Sequence, residues 1–138
     1  MADLKSYDYR LGERLRSEDL LALFAQAGWT AKRSGAPLQT MLDHSPAAVS
    51  VWDGERLIGY ARAVTDDIYR ATIEDVIVDE PYRGQGVGAE IMQRLLERLA
   101  HVEEIMLVCE DKNIAFYERF GFERFDMTYM HIWKGSAE

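Results

Sequence analysis

The apolar run Val76-Ile77-Val78 passes through Asp79-Glu80-Pro81-Tyr82 into Arg83-Gly84-Gln85-Gly86-Val87-Gly88 and then an amphipathic segment. This stretch constrains the fold most, because it demands a strand, a glycine turn and a helix start in immediate succession. Glycines at 84, 86 and 88 remove the side chains that would hold a ligand's oxygens away from backbone amides. The first turn of the helix that follows offers N–H groups with no intrahelical partner. Such a site takes an anion, and phosphate is the commonest. The amides and the positive end of the helix dipole act together there, and Arg83 adds a permanent charge at the rim.

Spacing separates the glycine motifs that bind phosphate. A dinucleotide fingerprint needs G-x-G-x-x-G, whereas Gly84, Gly86 and Gly88 read G-x-G-x-G. A Walker loop needs Lys and then Ser or Thr, but the chain continues Ala89-Glu90. What remains is Arg83-x-x-Gly86-x-Gly88 after the Val78-Asp79-Glu80-Pro81 segment. It resembles the (Q/R)-x-x-G-x-(G/A) pyrophosphate motif of the GNAT N-acetyltransferase superfamily, which binds acetyl-coenzyme A on the loop and helix start after the fourth strand. A second stretch strengthens the resemblance. Asp111-Lys112-Asn113-Ile114-Ala115-Phe116-Tyr117-Glu118-Arg119-Phe120-Gly121-Phe122 is similar to the superfamily's N-x-x-A-x-x-F-Y-x-x-x-G-F segment, although Glu110 falls where an asparagine is usual.

A length of 138 residues with 48% hydrophobic composition fits one globular domain over residues 1–138. No apolar run is long enough to span a bilayer, and Met1-Ala2-Asp3-Leu4-Lys5 lacks the layout of a signal peptide, so a cytoplasmic protein without membrane partners is expected. The single cysteine, Cys109, allows no internal disulfide. A net charge of −8 speaks against nucleic acid as a partner and favours a cationic small molecule. His44, His101 and His131 make no H-x-H or H-x-x-x-H pair, so no metal is expected.

The polar and apolar pattern predicts a first strand over 6–11 and a helix N-capped by Ser17 and ending near Gly28-Trp29. A short helix is expected over 37–44. A hairpin joins 47–52 to 56–65 through Asp53-Gly54, and a further strand over 69–78 leads into the glycine loop. Beyond it, Ile91, Met92, Leu95, Leu96 and Leu99 form the inner face of a helix, and 105–108 a strand parallel to the one before the loop. A helix over 113–120 and a last strand over 127–133 follow, with a frayed tail over 135–138. This order gives an α/β (α+β) fold, and the resemblance implies the GNAT type, a mixed, mostly antiparallel central sheet flanked by helices.

Acetyl transfer to an amine sets chemical requirements. An amine with a pKa of about 10.4 is mostly protonated near neutral pH, and freeing it costs about 4 kcal/mol. A strand carboxylate, acting directly or through water, can take that proton, and Glu74 and Asp75 are the candidates. Alternation puts Asp75 on the face of Ile77 and Glu74 on that of Val76 and Val78, so only one looks into the site unless the strand is bulged.

The resemblance places an acidic residue at Asp75 and a tyrosine that protonates the departing thiolate at Tyr117. It implies that backbone N–H groups around Ile77 and Val78 polarise the thioester, and that Arg83, Gly84, Gln85, Gly86, Val87 and Gly88 hold the pyrophosphate. Asn113 adds an amide to the pantetheine or pyrophosphate, beside Tyr117. Phe116, Phe120 and Phe122 are expected in the core, and Cys109 as a buried thiol rather than an acyl carrier. Trp29, Trp52, Tyr60 and Tyr69 are aromatic candidates for acceptor walls.

The resemblance thus implies an enzyme using acetyl-coenzyme A as cosubstrate, without a metal, on a small-molecule primary amine, and a homodimer. The alternatives are acetylation of a protein amino group and a non-catalytic acyl-coenzyme A sensor.

Overall fold

The computed structural model describes residues 6–135. The opening segment 1–5, on which the reading of the N-terminus rests, and residues 136–138 of the expected tail lie outside the described residues. The chain divides into two units, one up to Leu107 and one from Val108, and each is described by itself.

In the first unit a sheet runs in the order β1 (Asp8–Leu11), β2 (Ala48–Asp53), β3 (Arg56–Thr65), β4 (Arg70–Val78) and β5 (Glu104–Met106). All neighbouring pairs are antiparallel except β4 and β5, which are parallel as the crossover pattern requires. Gly54, at φ 61°, closes the β2–β3 hairpin at the Asp-Gly pair. At the β3–β4 turn the Asp66 carboxylate accepts the N–H groups of Ile68, Tyr69 and Arg70.

Helices cover both faces of the sheet. Leu20, Leu23 and Phe24 of α1 (Ser17–Phe24) and Leu38 and Leu42 of α2 (Gly35–Asp43) pack with Tyr60 and Ile77. On the other face lies α3 (Val87–Arg98), with Ile91, Met92 and Leu95 fully buried. Successive strand residues point to opposite faces, so Gly59, next to Tyr60, faces α3. A Cβ there would stand 3.0 Å from Ile91 Cδ1 and 3.3 Å from Val51 Cγ2, so glycine lets the helix approach. Because both faces are covered, β2 is buried from Ala48 to Val51 without alternation.

Several boundaries differ from expectation. Arg16, not Ser17, is the N-cap of α1, and Asp19 reaches back to its N–H while Gln39 caps the N–H of Ser17. The helix stops at Phe24 because tighter turns follow, whose carbonyls at Phe24 and Ala27 accept the Thr30 hydroxyl. In the second unit a 3-10 turn at Asp111–Asn113 precedes α4 (Ile114–Glu118), so the expected helix over 113–120 is shorter. The expected strand over 127–133 is not formed. Met127, Tyr129, Met130, Ile132 and Trp133 are exposed, and among the described residues this segment has no ladder partner, without which extended backbone is not a strand.

Candidate active site

Gly84 and Gly86 have φ of 79° and 87°, the left-handed region that glycine enters without steric cost, and a Cβ at either would meet nothing within 4 Å. Their role is therefore conformational, together with openness toward a ligand. Gly86 is the N-cap of α3, and its carbonyl accepts the Glu90 N–H. Among the described residues no backbone acceptor faces the N–H groups of Gln85, Gly86, Val87 and Gly88. Four uncommitted amides at the start of a twelve-residue helix form a cradle for a pyrophosphate, so these residues fit the anion expected there.

The loop is braced by residues from distant parts of the unit. Asp79, 3% exposed, accepts Gln26 Nε2 at 2.6 Å and pairs with Arg56 at 2.6 Å. The Tyr82 hydroxyl donates to Asp53 at 2.6 Å, and the Tyr7 hydroxyl to Gln85 Oε1 at 2.9 Å. Arg83, expected as a permanent charge at the rim, donates Nε to the Val78 carbonyl at 2.8 Å and reaches Gln26 at 3.4 Å. It ties the loop to the end of β4. Sequence reasoning missed Gln26, Asp53, Arg56 and Asp79 as supports, since their partners lie 23 (Arg56 to Asp79) to 57 (Gln26 to Arg83) positions away and leave no local pattern.

On β4 the strand is bulged, the exception to the alternation rule. Ile73 pairs with Ala63 and Glu74 with Arg62, but Ile77 pairs with Tyr60, so β4 carries one residue more than β3 over this stretch. Arg62 and Tyr60 share a face, and Glu74 and Ile77 therefore share it too. Asp75 has φ 57°, left-handed for a residue with a Cβ. Its Oδ2 accepts Arg33 Nη1 and Arg62 Nε, each at 2.8 Å, and its side chain is 1% exposed. Asp75 Oδ1 and the Tyr60 hydroxyl are buried without a hydrogen-bond partner among the described residues. Glu74 is half-buried, and its carboxyl pKa is raised, first by burial and then by the Asp75 charge, against the lowering effect of Arg62 and Arg33. Burial pushes the Tyr60 hydroxyl out of the titrating range.

Beyond Thr72 no strand pairs with the outer edge of β4 among the described residues. The Asp79 N–H donates inward to Ile58, so alternation turns the Ile77 N–H toward β3 and the Val78 N–H toward the open edge. Of the two expected amide donors, only Val78 faces outward. The aromatic candidates separate as well: Tyr60 is core, Trp52 packs against the core, and Trp29 and Tyr69 are exposed.

The second unit holds Asn113 and Tyr117. Tyr117 is half-buried, edge-on to Phe116 at 5.0 Å and Phe122 at 6.0 Å, while Phe116 also meets Phe120. Burial raises its pKa, and Cys109 adds to the shift, so the phenol stays a neutral donor over a wider range. Cys109 is partly exposed rather than buried. Glu110 reaches Lys112 at 3.6 Å, and Asn113 is the N-cap of α4 without a side-chain cap bond. Among the described residues no three His, Cys, Asp or Glu side chains are grouped to hold a metal, and no helix is long and apolar enough to cross a membrane.

A mixed, mostly antiparallel sheet with a bulged fourth strand and an open edge, followed by a helix that begins at a glycine loop, is the fold that the sequence resemblance implied. The chain belongs to the acetyltransferase (GNAT) family, whose model matches residues 13–122. It is similar to a histone acetyltransferase of Glycine max, 34% identical over 118 residues that cover 76% of this chain and 51% of the relative. An uncharacterized N-acetyltransferase of Porphyra purpurea is 34% identical over 110 residues, covering 75% and 63%. The chain thus spans about half to two thirds of the length of these relatives. Among solved structures, a GNAT-family acetyltransferase from Streptococcus pneumoniae TIGR4 superposes with a TM-score of 0.80 at 30% identity, covering 94% of this chain and 98% of that one.

Proposed function

We propose that this protein moves the acetyl group of acetyl-coenzyme A directly to a primary amine of a small molecule, within a ternary complex. The observation that carries this reading is the loop, where Gly84 and Gly86 take left-handed φ and leave four amides uncommitted at the start of α3. The family supplies the cosubstrate that such a cradle would hold, and the bound thioester supplies an activated acyl carbon.

The amides of Gln85, Gly86, Val87 and Gly88 bind the pyrophosphate, and the Val78 N–H polarises the thioester carbonyl. Glu74 takes the ammonium proton so that the nitrogen lone pair can attack. It is chosen over Asp75 because Arg33 and Arg62 both bind Asp75 Oδ2 and that side chain is closed to solvent, whereas Glu74 is half-buried. As the C–N bond forms and the C–S bond breaks, the attacking nitrogen loses its second proton to solvent, and Tyr117 gives its proton to the sulfur and regains one from solvent, with Asn113 supporting the cosubstrate.

A second reading, acetylation of a protein amino group, is favoured by the relative from Glycine max that is named a histone acetyltransferase. Thiol release from acetyl-coenzyme A, measured against a panel of small amines and lysine-bearing basic peptides, tests both. Turnover on small amines is expected. Turnover on peptides alone selects the second reading, and tight binding without turnover on either selects a sensor.

A further inference from the structure

We infer that Asp75 is a positioning residue: clamped between Arg33 and Arg62, its carboxylate holds the bulge of β4 that turns Glu74 toward the acceptor. The inference rests on Glu74 as the base under the proposed function. Arg62 comes from β3, directly opposite Glu74 in the ladder, and Arg33 from the connection between α1 and α2. One carboxylate oxygen thus joins three separate parts of the acceptor face through two bonds of 2.8 Å.

Two costs fall on this residue. It is a non-glycine at φ 57°, and its second oxygen is buried without a hydrogen-bond partner among the described residues. Strain and an unmet acceptor at one position are retained where the surroundings enforce a geometry that a regular strand would not give. The geometry enforced is the extra residue of β4, which brings Glu74 and Ile77 onto the face of Arg62 and Tyr60.

The charged groups facing Glu74 are Asp75 on its own strand, Arg62 on β3 and Arg33 on the α1–α2 connection. Asp75 favours the protonated form of Glu74, and the two arginines favour the ionised form. Removing the Asp75 charge therefore moves the acid limb of the activity profile to lower pH, and removing Arg33 moves it to higher pH.

The test measures kcat, KM and their pH dependence by thiol release in the full chain, with one amine throughout so that its own ionisation cancels, and coenzyme A affinity by calorimetry. Glu74→Gln should abolish the acid limb and lower kcat by about 10²–10⁴-fold. Asp75→Asn should keep the limb, displaced to lower pH, with kcat down about 10- to 100-fold from misplacement and coenzyme A affinity unchanged. Arg33→Gln leaves the Arg62–Asp75 pair in place, so it keeps the test open if Asp75→Asn fails to fold, and its limb should move to higher pH.

Loss of the limb in Asp75→Asn with its retention in Glu74→Gln would make Asp75 the base and overturn the inference. A clamp of purely structural importance would show wild-type kcat and limb in Asp75→Asn and Arg33→Gln while Glu74→Gln is inactive. Retention of limb and rate in Glu74→Gln instead overturns the choice of base itself.

Discussion

Glu74 must be ionised to take a proton, and burial raises its pKa above the usual carboxylate range. Activity is therefore expected to be full above that raised value and to fall as the pH drops through it, at a higher pH than for an exposed glutamate. A limb at the ordinary carboxylate pKa in a pH–rate profile would contradict this. In the proposed mechanism Tyr117 acts in the opposite sense, as a donor that serves only while protonated, and its raised pKa favours that form. Tyr117→Phe should lower kcat by about 10²-fold or more while leaving acetyl-coenzyme A affinity intact. Parallel turnover and calorimetry on that variant would show whether the hydroxyl, rather than the ring packed on Phe116 and Phe122, carries the effect.

At the scale of elements, β3 and β4 carry part of the core and both carboxylates of the proposed site. Gly59 on β3 faces Ile91 and Val51 at contact distance, so Gly59→Val should overpack the sheet against α3 and cost about 1–3 kcal/mol, read as a fall in Tm. Unchanged stability would mean that α3 moves freely away. The hairpin over Asp53-Gly54, the glycine loop and the helix after it were legible because turn residues and periodicity are local signals. The expected strands 47–52 and 56–65 lie within one residue of Ala48–Asp53 and Arg56–Thr65. The bulge of β4 entered the sequence reading only as the exception to alternation, since the side chains bonded to Asp75, Arg33 and Arg62, lie 42 and 13 positions away. Nor was the fate of 127–133, because an apolar segment becomes a strand only where a partner edge receives it.

For the molecule as a whole, the glycine loop is held by side chains gathered from Tyr7 ahead of β1, Gln26 just after α1 and the β2–β3 hairpin. Asp79 is where several of these supports meet, bonded to Gln26 and Arg56. Asp79→Ala should cost about 1–3 kcal/mol and weaken acetyl-coenzyme A binding without contacting it, since the partners left behind lose their acceptor. A drop in Tm with unchanged affinity would show that the loop stands without this brace. The most direct test of the account is calorimetric titration of the wild-type chain and Gly86→Ala with acetyl-coenzyme A. One saturable site per chain is expected, with affinity weakened about 5- to 30-fold in the variant, the equivalent of about 1–2 kcal/mol for forcing a Cβ into left-handed backbone. No binding by the wild type, or equal binding by both, would contradict the assignment of the Gly84–Gly88 loop as the cosubstrate site.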